Sequence, residues 1–177
     1  MDGPWVNNTL EPHNTVLSTI ITLTTTYKAV YATGALPNLA NYFNYPGKMC
    51  HIKGMGRTSS GTTPGSIGFG VIIGPNTDNS GTVLGSVQST WTASQSNYTF
   101  IFDFWARCQS IGVSGTISGM GVVIIQSSGI FPINYNTVPT VATFDTTATN
   151  YLSPQFYRTG STAETIMAMD YFMESLN

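Results

Sequence analysis

Hydrophobic and polar residues alternate along most of this chain, and Gly, Pro, Asn and Ser interrupt the alternation roughly every 8–14 residues. The clearest case is the segment 98–109, in which Tyr98, Phe100, Phe102 and Phe104 occupy every second position. A period of two is that of a β-strand with one buried face. Short strands at this spacing are typical of a β-sandwich or barrel and not of βαβ units. The pattern therefore predicts an all-β fold.

The same patterning, together with β-branched residues, locates other strands on both sides of this segment. We expect one or two strands within 16–33, and then strands at 48–58, 66–74, 82–92, 98–109, 112–126, 141–145, 150–157 and 162–173. The segment 127–140, which contains two prolines, is predicted to be a long connection.

The last predicted strand carries two patterns. Met167, Met169, Tyr171 and Met173 alternate as the residues of a strand do. The same region also has apolar residues at helical spacing and begins with the residues of a capping box, 161–164. The β rhythm of the rest of the chain favours the strand, and a helix remains the alternative.

The first fifteen residues differ from the rest. They are polar, contain Pro4 and Pro12, and show no sustained period. We interpret residues 1–15 as an extended N-terminal arm and residues 16–177 as the sandwich domain. Trp5 and Val6 are the apolar residues of the arm that need a partner surface.

Charge separates this chain from most soluble domains. Only 8% of the residues are charged, the net charge is −2 and the aromatic content is 12%, whereas about 25% of the residues of an ordinary domain are charged. Without a basic cluster, nucleic acid is not an expected partner. The composition also disfavours coiled coils and disorder. Neither a secretory signal nor an apolar run long enough to span a membrane is found, so we expect no membrane association and synthesis in a cytoplasm.

No catalytic, cofactor or metal site is predicted. Cys50 and Cys108 are far apart and lack a CxxC or Cys/His ligand spacing, and the one other histidine besides His51 is His13 in the arm. The glycine-rich stretch 65–70 leads into β-branched residues, whereas a phosphate-binding loop opens a helix. Asp103 is expected to form an ion pair across to another strand or subunit. The sequence predicts a protein that is not an enzyme.

The odd-numbered face of the segment 98–109 predicts a different role. Ile101, Asp103, Trp105 and Arg107 share this face, opposite the aromatic residues of the expected core. Trp and Arg are enriched among the residues that dominate interface energetics. These four residues are therefore candidates for a contact between protomers. An alternative is that tryptophans such as Trp91 and Trp105 stack on sugars.

Three parts of the chain resemble a family of small structural proteins of tailed bacteriophages. The similar stretches are GRTSSGTTPGSIGFG at 56–70, RCQSIGVSGT at 107–116, and FDTTATNYL at 144–152 followed by STAETI at 161–166. The resemblance covers roughly residues 45–177. In residues 167–173 this chain departs from the family, because methionines and aromatic residues replace small polar ones.

The resemblance implies a jelly-roll sandwich of about eight short antiparallel strands. It also implies a capsid cement or decoration protein that forms a homotrimer on the capsid surface of a virion and binds the major capsid protein. The alternatives are a head-fibre or tail-associated virion component, or a β-sandwich module that binds a carbohydrate or receptor.

Overall fold

The computed structural model describes residues 10–11, 20–30, 39–75, 80–126, 129–133, 141–160 and 164–176. For residues 10–11, 131–133 and 166–176 it describes the backbone alone. Within these ranges the secondary structure consists of β-strands. No helix in this part of the chain is long and apolar enough to cross a membrane.

The described ranges contain strands of very different lengths. They are β1 (Leu10–Glu11), β2 (Ile21–Thr22), β3 (Lys28–Ala29), β4 (Met49–Ser59), β5 (Ser66–Gly74), β6 (Thr82–Thr90), β7 (Tyr98–Ser110), β8 (Gly115–Ile125), β9 (Gly129–Ile133), β10 (Val141–Phe144), β11 (Tyr151–Arg158) and β12 (Thr165–Leu176).

These strands form two antiparallel sheets. The larger sheet has the order β1-β12-β4-β7-β8-β10, with β2 also paired to β12 and β9 to β8, and the smaller sheet has the order β3-β11-β5-β6. The pairs β4 with β12, β5 with β11 and β7 with β8 make the chain a long hairpin rolled across both sheets. The predicted all-β jelly-roll sandwich is confirmed.

Aromatic rings fill the space between the sheets. Phe69 of the smaller sheet lies 5.4 Å from Phe102 of the larger one, and Phe156 lies 4.9 Å from Phe100, measured between ring centroids. Phe104 is also fully buried. Each such side chain contributes about 1.5–3 kcal/mol of transfer free energy. The predicted core face of β7 is confirmed.

The C-terminal segment is a strand, as favoured by the sequence. β12 pairs with β4 from Thr165 opposite Ser59 to Leu176 opposite Met49, with one bulge near Ala168. This pairing provides partners for the backbone N–H and C=O groups of the segment. In a helix, the same groups would bond to one another within the segment. Tertiary pairing therefore overrides the helical spacing.

Strand β9 is the main element that the sequence pattern missed. It lies in the segment predicted to be a connection and pairs with β8, with Pro132 opposite Val122. Proline is tolerated in a strand at a sheet edge, where no ladder partner needs its missing N–H. Because the segment contains two prolines, the sequence pattern did not predict this short edge strand.

The predicted arm is described only at β1, where Leu10 and Glu11 pair with Glu174 and Met173 of β12. The other arm residues, including Trp5 and Val6, lie outside the described residues.

The outward side of the smaller sheet is covered along β11, whereas Ser86, Gln88 and Thr90 of the edge strand β6 are exposed on the same side. Ser153 and Gln155 of β11 are completely buried there. The rings of Tyr27 and Tyr157 meet edge to face with centroids 4.6 Å apart. A Cβ atom at Gly68 would lie 1.8 Å from the Tyr157 ring, so glycine makes room for this ring. The smaller sheet therefore has no open face at β11.

Candidate functional site

The solvent-facing side of the larger sheet, here called the outer face, carries a row of exposed apolar side chains. Met55 of β4 is in register with Ile101 of β7, Ile101 with Ile124 of β8, and Ile124 with Ile130 of β9. Paired residues of neighbouring strands lie on the same side of a sheet. Their exposed fractions are 44%, 45%, 39% and 68%. Four adjacent strands thus present one continuous apolar row.

Other apolar residues extend this row into a patch. Met120 of β8 and Val141 of β10 are 52% and 48% exposed and lie on the same face by register. Six of the ten large hydrophobic residues exposed in the described ranges are therefore on the outer face. The core of the sandwich does not explain such a concentration, because isolated exposed apolar residues are ordinary but contiguous patches mark interaction sites.

A histidine, a tryptophan and an aspartate form a fixed unit in this face. The Nε2–H of His51 donates to Oδ1 of Asp103 over 2.7 Å, and the imidazole stacks on the indole of Trp105 with centroids 3.8 Å apart and an interplanar angle of 8°. His51 is 3% exposed. The buried imidazole, held by the carboxylate, fixes the plane of the indole.

Asp103 also contacts a lysine. Its Oδ2 lies 3.9 Å from Nζ of Lys53, the register partner of Asp103 on β4. The expected cross-strand ion pair of Asp103 is thus formed within one chain. An ion pair that is about one-third exposed contributes little to stability. Its consequence for the outer face is that the negative charge of Asp103 is neutralised locally.

A cavity of about 440 Å³ opens beside Trp105 on the outer face. We call it the Trp105 cavity. Its lining residues come from β4, β7 and β8: Met49, Trp105, Ala106, Arg107, Gln109, Ser118, Gly119 and Met120. Its volume falls in the range of pockets that receive a ligand or an anchoring side chain. Methionine side chains adapt their shape to an occupant.

The structure brings four of the predicted site residues together. Ile101, Asp103, Trp105 and Arg107 all lie on the outer face, exposed or half-buried, as the alternation along β7 predicts. Their role in a protomer contact stays a prediction. His51 was missed as a member of this site, because only the register between β4 and β7 places it against Trp105.

Trp91 requires a correction. Its side chain is only 3% exposed and belongs to the hydrophobic core, so it cannot offer a ring face to a sugar. The segment 91–97 lies outside the strands, so no alternation indicates which side of the sheet this ring covers.

The cysteines lie away from the outer face. Cys50 and Cys108 are buried free thiols, and burial raises the pKa of Cys50 to about 12 and also raises the pKa of Cys108. In the described ranges no group of three or more His, Cys, Asp or Glu residues is placed to hold a metal ion.

Comparisons with known proteins give weak similarities. No protein-family model and no curated protein matches the chain. Peanut lectin bound to the 9-residue peptide PVIWSSATG has a TM-score of 0.35 and 10% identity, with 98% of this chain and 92% of that chain covered. The metal-free lectin I-B4 from Griffonia simplicifolia has a TM-score of 0.35 and 9% identity, with 92% and 93% covered.

A third similar structure is the CBM2 module of the evolved Dit of Lactobacillus casei BL23 phage J-1. Its TM-score is 0.25 and its identity 10%, with 98% of this chain and 79% of that chain covered. At these TM-scores and identities, none of the three structures indicates a shared function.

Proposed function

We propose that this protein is a non-enzymatic structural subunit that associates with copies of itself through the outer face. In this proposal it is a trimeric capsid cement or decoration protein of a tailed bacteriophage, located on the capsid surface and bound to the major capsid protein. The observation that carries self-association is the apolar row of Met55, Ile101, Ile124 and Ile130.

The contrast between the two sheets supports this proposal. The outward side of the smaller sheet buries Ser153 and Gln155 along β11 and exposes polar residues along β6, whereas the larger sheet leaves isoleucines and methionines exposed. With only 8% charged residues, the chain has little charge to keep copies apart. Covering Thr, Ser and apolar atoms also costs less than desolvating Lys or Glu. The outer face is therefore suited to being covered.

The exposed apolar side chains of the outer face contribute a limited free energy to association. Covering six side chains that are each about half exposed provides about 1 kcal/mol apiece, or roughly 6 kcal/mol. Association costs an estimated 4–15 kcal/mol in lost translational and rotational freedom. The apolar row alone thus reaches only the lower end of this cost. A stable oligomer needs an additional anchor, and the Trp105 cavity is the place on this face where one fits.

The virion assignment is supported by the resemblance of the segments 56–70, 107–116 and 144–152 to small tailed-phage structural proteins. The test is binding of the purified protein to capsids that lack it, followed by electron microscopy of the particles. We expect density on the capsid surface and a trimer in solution. Density on a head fibre or tail would place the protein elsewhere in the virion, and a monomer that binds no particle would overturn the proposal.

A second candidate function is carbohydrate binding at the Trp105 cavity. The specific observation is a half-buried indole of fixed orientation next to Arg107, Gln109 and Ser118. Aromatic rings stack on sugars, and these polar groups can bind hydroxyls. A glycan array tests this candidate. Binding that Trp105→Ala abolishes and Trp105→Phe partly retains supports it, and an array without hits removes it.

A further inference from the structure

The Trp105 cavity is preformed. Its indole is held by His51, which in turn is held by Asp103. The walls are mainly apolar, with Met49 and Met120 beside the ring. At about 30 Å³ per molecule, the cavity volume corresponds to on the order of a dozen waters. An apolar side chain that displaces water from this space gains affinity, and the fixed indole lowers the entropic cost of ordering the site.

The tip of the β7–β8 hairpin is a preformed protrusion. Ile111 and Val113 are 50% and 74% exposed and are separated by a single residue. Between them Gly112 adopts a φ of +107°, a conformation that a side chain would strain. The amide of Gly112 donates to Oγ1 of Thr146 over 2.9 Å, and the amide of Thr146 donates to the Gly112 carbonyl over 3.1 Å.

The tip cannot enter the cavity of its own chain. Both features belong to the same hairpin: the cavity lies on the strand face beside Arg107 and Met120, whereas Ile111 and Val113 lie in the turn beyond the last β7–β8 pair. Folding the turn back onto that face would break the pairing of the two strands. The hydrogen bonds to Thr146 also hold the tip against the loop that follows β10. An apolar tip and an apolar cavity that cannot meet within one copy can meet between two copies.

We infer that Ile111 and Val113 of one copy fill the Trp105 cavity of the next copy. The occupant is a second copy of this chain because an exposed aliphatic pair and an apolar cavity, both held rigid, are presented by the same molecule. The inference rests on the proposed self-association and specifies its geometry. A tip-to-face contact joins two different surfaces, so it is heterologous and produces a closed ring or an open filament, depending on the rotation between copies. Three copies close the ring of the proposed trimer.

Cross-linking between single-cysteine variants tests this geometry. Val113→Cys and Met120→Cys each add one thiol, while the native Cys50 and Cys108 are buried. The two full-length variants carry tags of different size and are mixed with a short bis-maleimide. We expect a covalent pair in the mixture and none in either variant alone. The variant that carries both substitutions is expected to give covalent species of up to three chains.

Three results would overturn the inference. Cross-linking of Met120→Cys with itself would indicate a two-fold contact of face against face. An oligomer that forms normally but yields no mixed product would place the tip elsewhere while leaving self-association intact. Covalent species longer than three chains would contradict ring closure. A protein that is monomeric by light scattering would instead contradict the proposed self-association itself. Failure of the proposed function can therefore be distinguished from failure of the tip-to-cavity contact.

A substitution series provides an independent measurement. Val113→Asp places a charge on the tip, and Ile20→Asp is the matched control because Ile20 is also an exposed aliphatic residue, at 71% against 74% for Val113. We expect Val113→Asp to weaken self-association at least about tenfold and Ile20→Asp to leave it unchanged. Equal effects of the two substitutions would overturn the inference.

Discussion

The imidazole of His51 lies flat against the indole of Trp105, with ring centroids 3.8 Å apart and an interplanar angle of 8°. Asp103 holds the imidazole from its edge through a 2.7 Å hydrogen bond. The three side chains come from two neighbouring strands, and together they turn a half-buried tryptophan into a rigid wall of the Trp105 cavity. A rigid aromatic wall loses little conformational entropy on binding, which is the property of an interface anchor.

Replacement of Trp105 tests whether the outer face mediates self-association. We expect Trp105→Ala to weaken self-association by about 2 kcal/mol or more, equivalent to roughly a thirtyfold rise in the dissociation constant. The reason is that the cavity loses its rigid wall. Sedimentation equilibrium measures the change, and Thr90→Ala, at an exposed position of β6 in the smaller sheet, is the control.

Asp103→Ala in the same assay should weaken association less than Trp105→Ala, because it frees the imidazole but leaves the indole in place. An unchanged dissociation constant for Trp105→Ala would show that this residue is not in the contact.

The ion pair between Arg158 and the buried Glu164 is predicted to support the sandwich itself. Nε of Arg158 lies 3.5 Å from Oε2 of the fully buried Glu164 and also donates to the Leu23 carbonyl over 2.7 Å. Removing the cation leaves a buried carboxylate without this partner, which costs about 3–5 kcal/mol. We therefore expect Arg158→Met to lower the free energy of unfolding in urea by that amount.

The control for this prediction is Lys28→Met, at an exposed position of β3, which should change stability by no more than about 0.5 kcal/mol. Equal stabilities for the two variants would contradict the structural role of the pair.

The thiols of the two native cysteines should not react with thiol reagents in the folded protein. Burial raises the pKa of Cys50 to about 12, and Cys108 is also buried, so little thiolate is present or accessible at pH 8. A thiol count with Ellman's reagent should find none in the native protein and two after denaturation. A rapid reaction of either cysteine in the native protein would contradict the burial described here.

Acid is expected to loosen the loop that holds the hairpin tip. The hydroxyl and the amide of Thr147 donate to Oδ1 of Asp145 over 2.7 and 2.9 Å, and these bonds lower the pKa of Asp145 below its ordinary value of 3.8. A group with a lowered pKa in the folded state adds stability above the unfolded-state pKa, and this stability is lost as the pH falls through the folded-state value.

A carboxyl NMR titration measures the pKa of Asp145 directly. We expect a midpoint below 3.8, with the amide signal of Gly112 shifting over the same pH range because Thr146 holds it. Asp145→Asn should remove that shift. A midpoint at or above the ordinary value would contradict the hydrogen bonds described for this loop.

The sequence predicted the fold better than the site. Alternation along β7 identified both its core face and its solvent face, because a period of two assigns successive side chains to opposite sides. The helical spacing in β12 was misleading, because it competes with pairing to a distant strand. His51 and Met55 could not be placed beside Trp105 and Ile101, since cross-strand register depends on contacts about fifty residues apart. Trp91 was misjudged because a tryptophan beyond the end of a strand has no period that assigns its side.

The mass of the protein in solution shows whether the outer face binds a second copy. Size-exclusion chromatography with light scattering should give three times the 19.0 kDa of the chain for the wild type, and a smaller mass at the same concentration for Trp105→Ala. A wild-type protein that stays at the mass of one chain over the accessible concentration range would contradict the claim that the outer face binds a second copy.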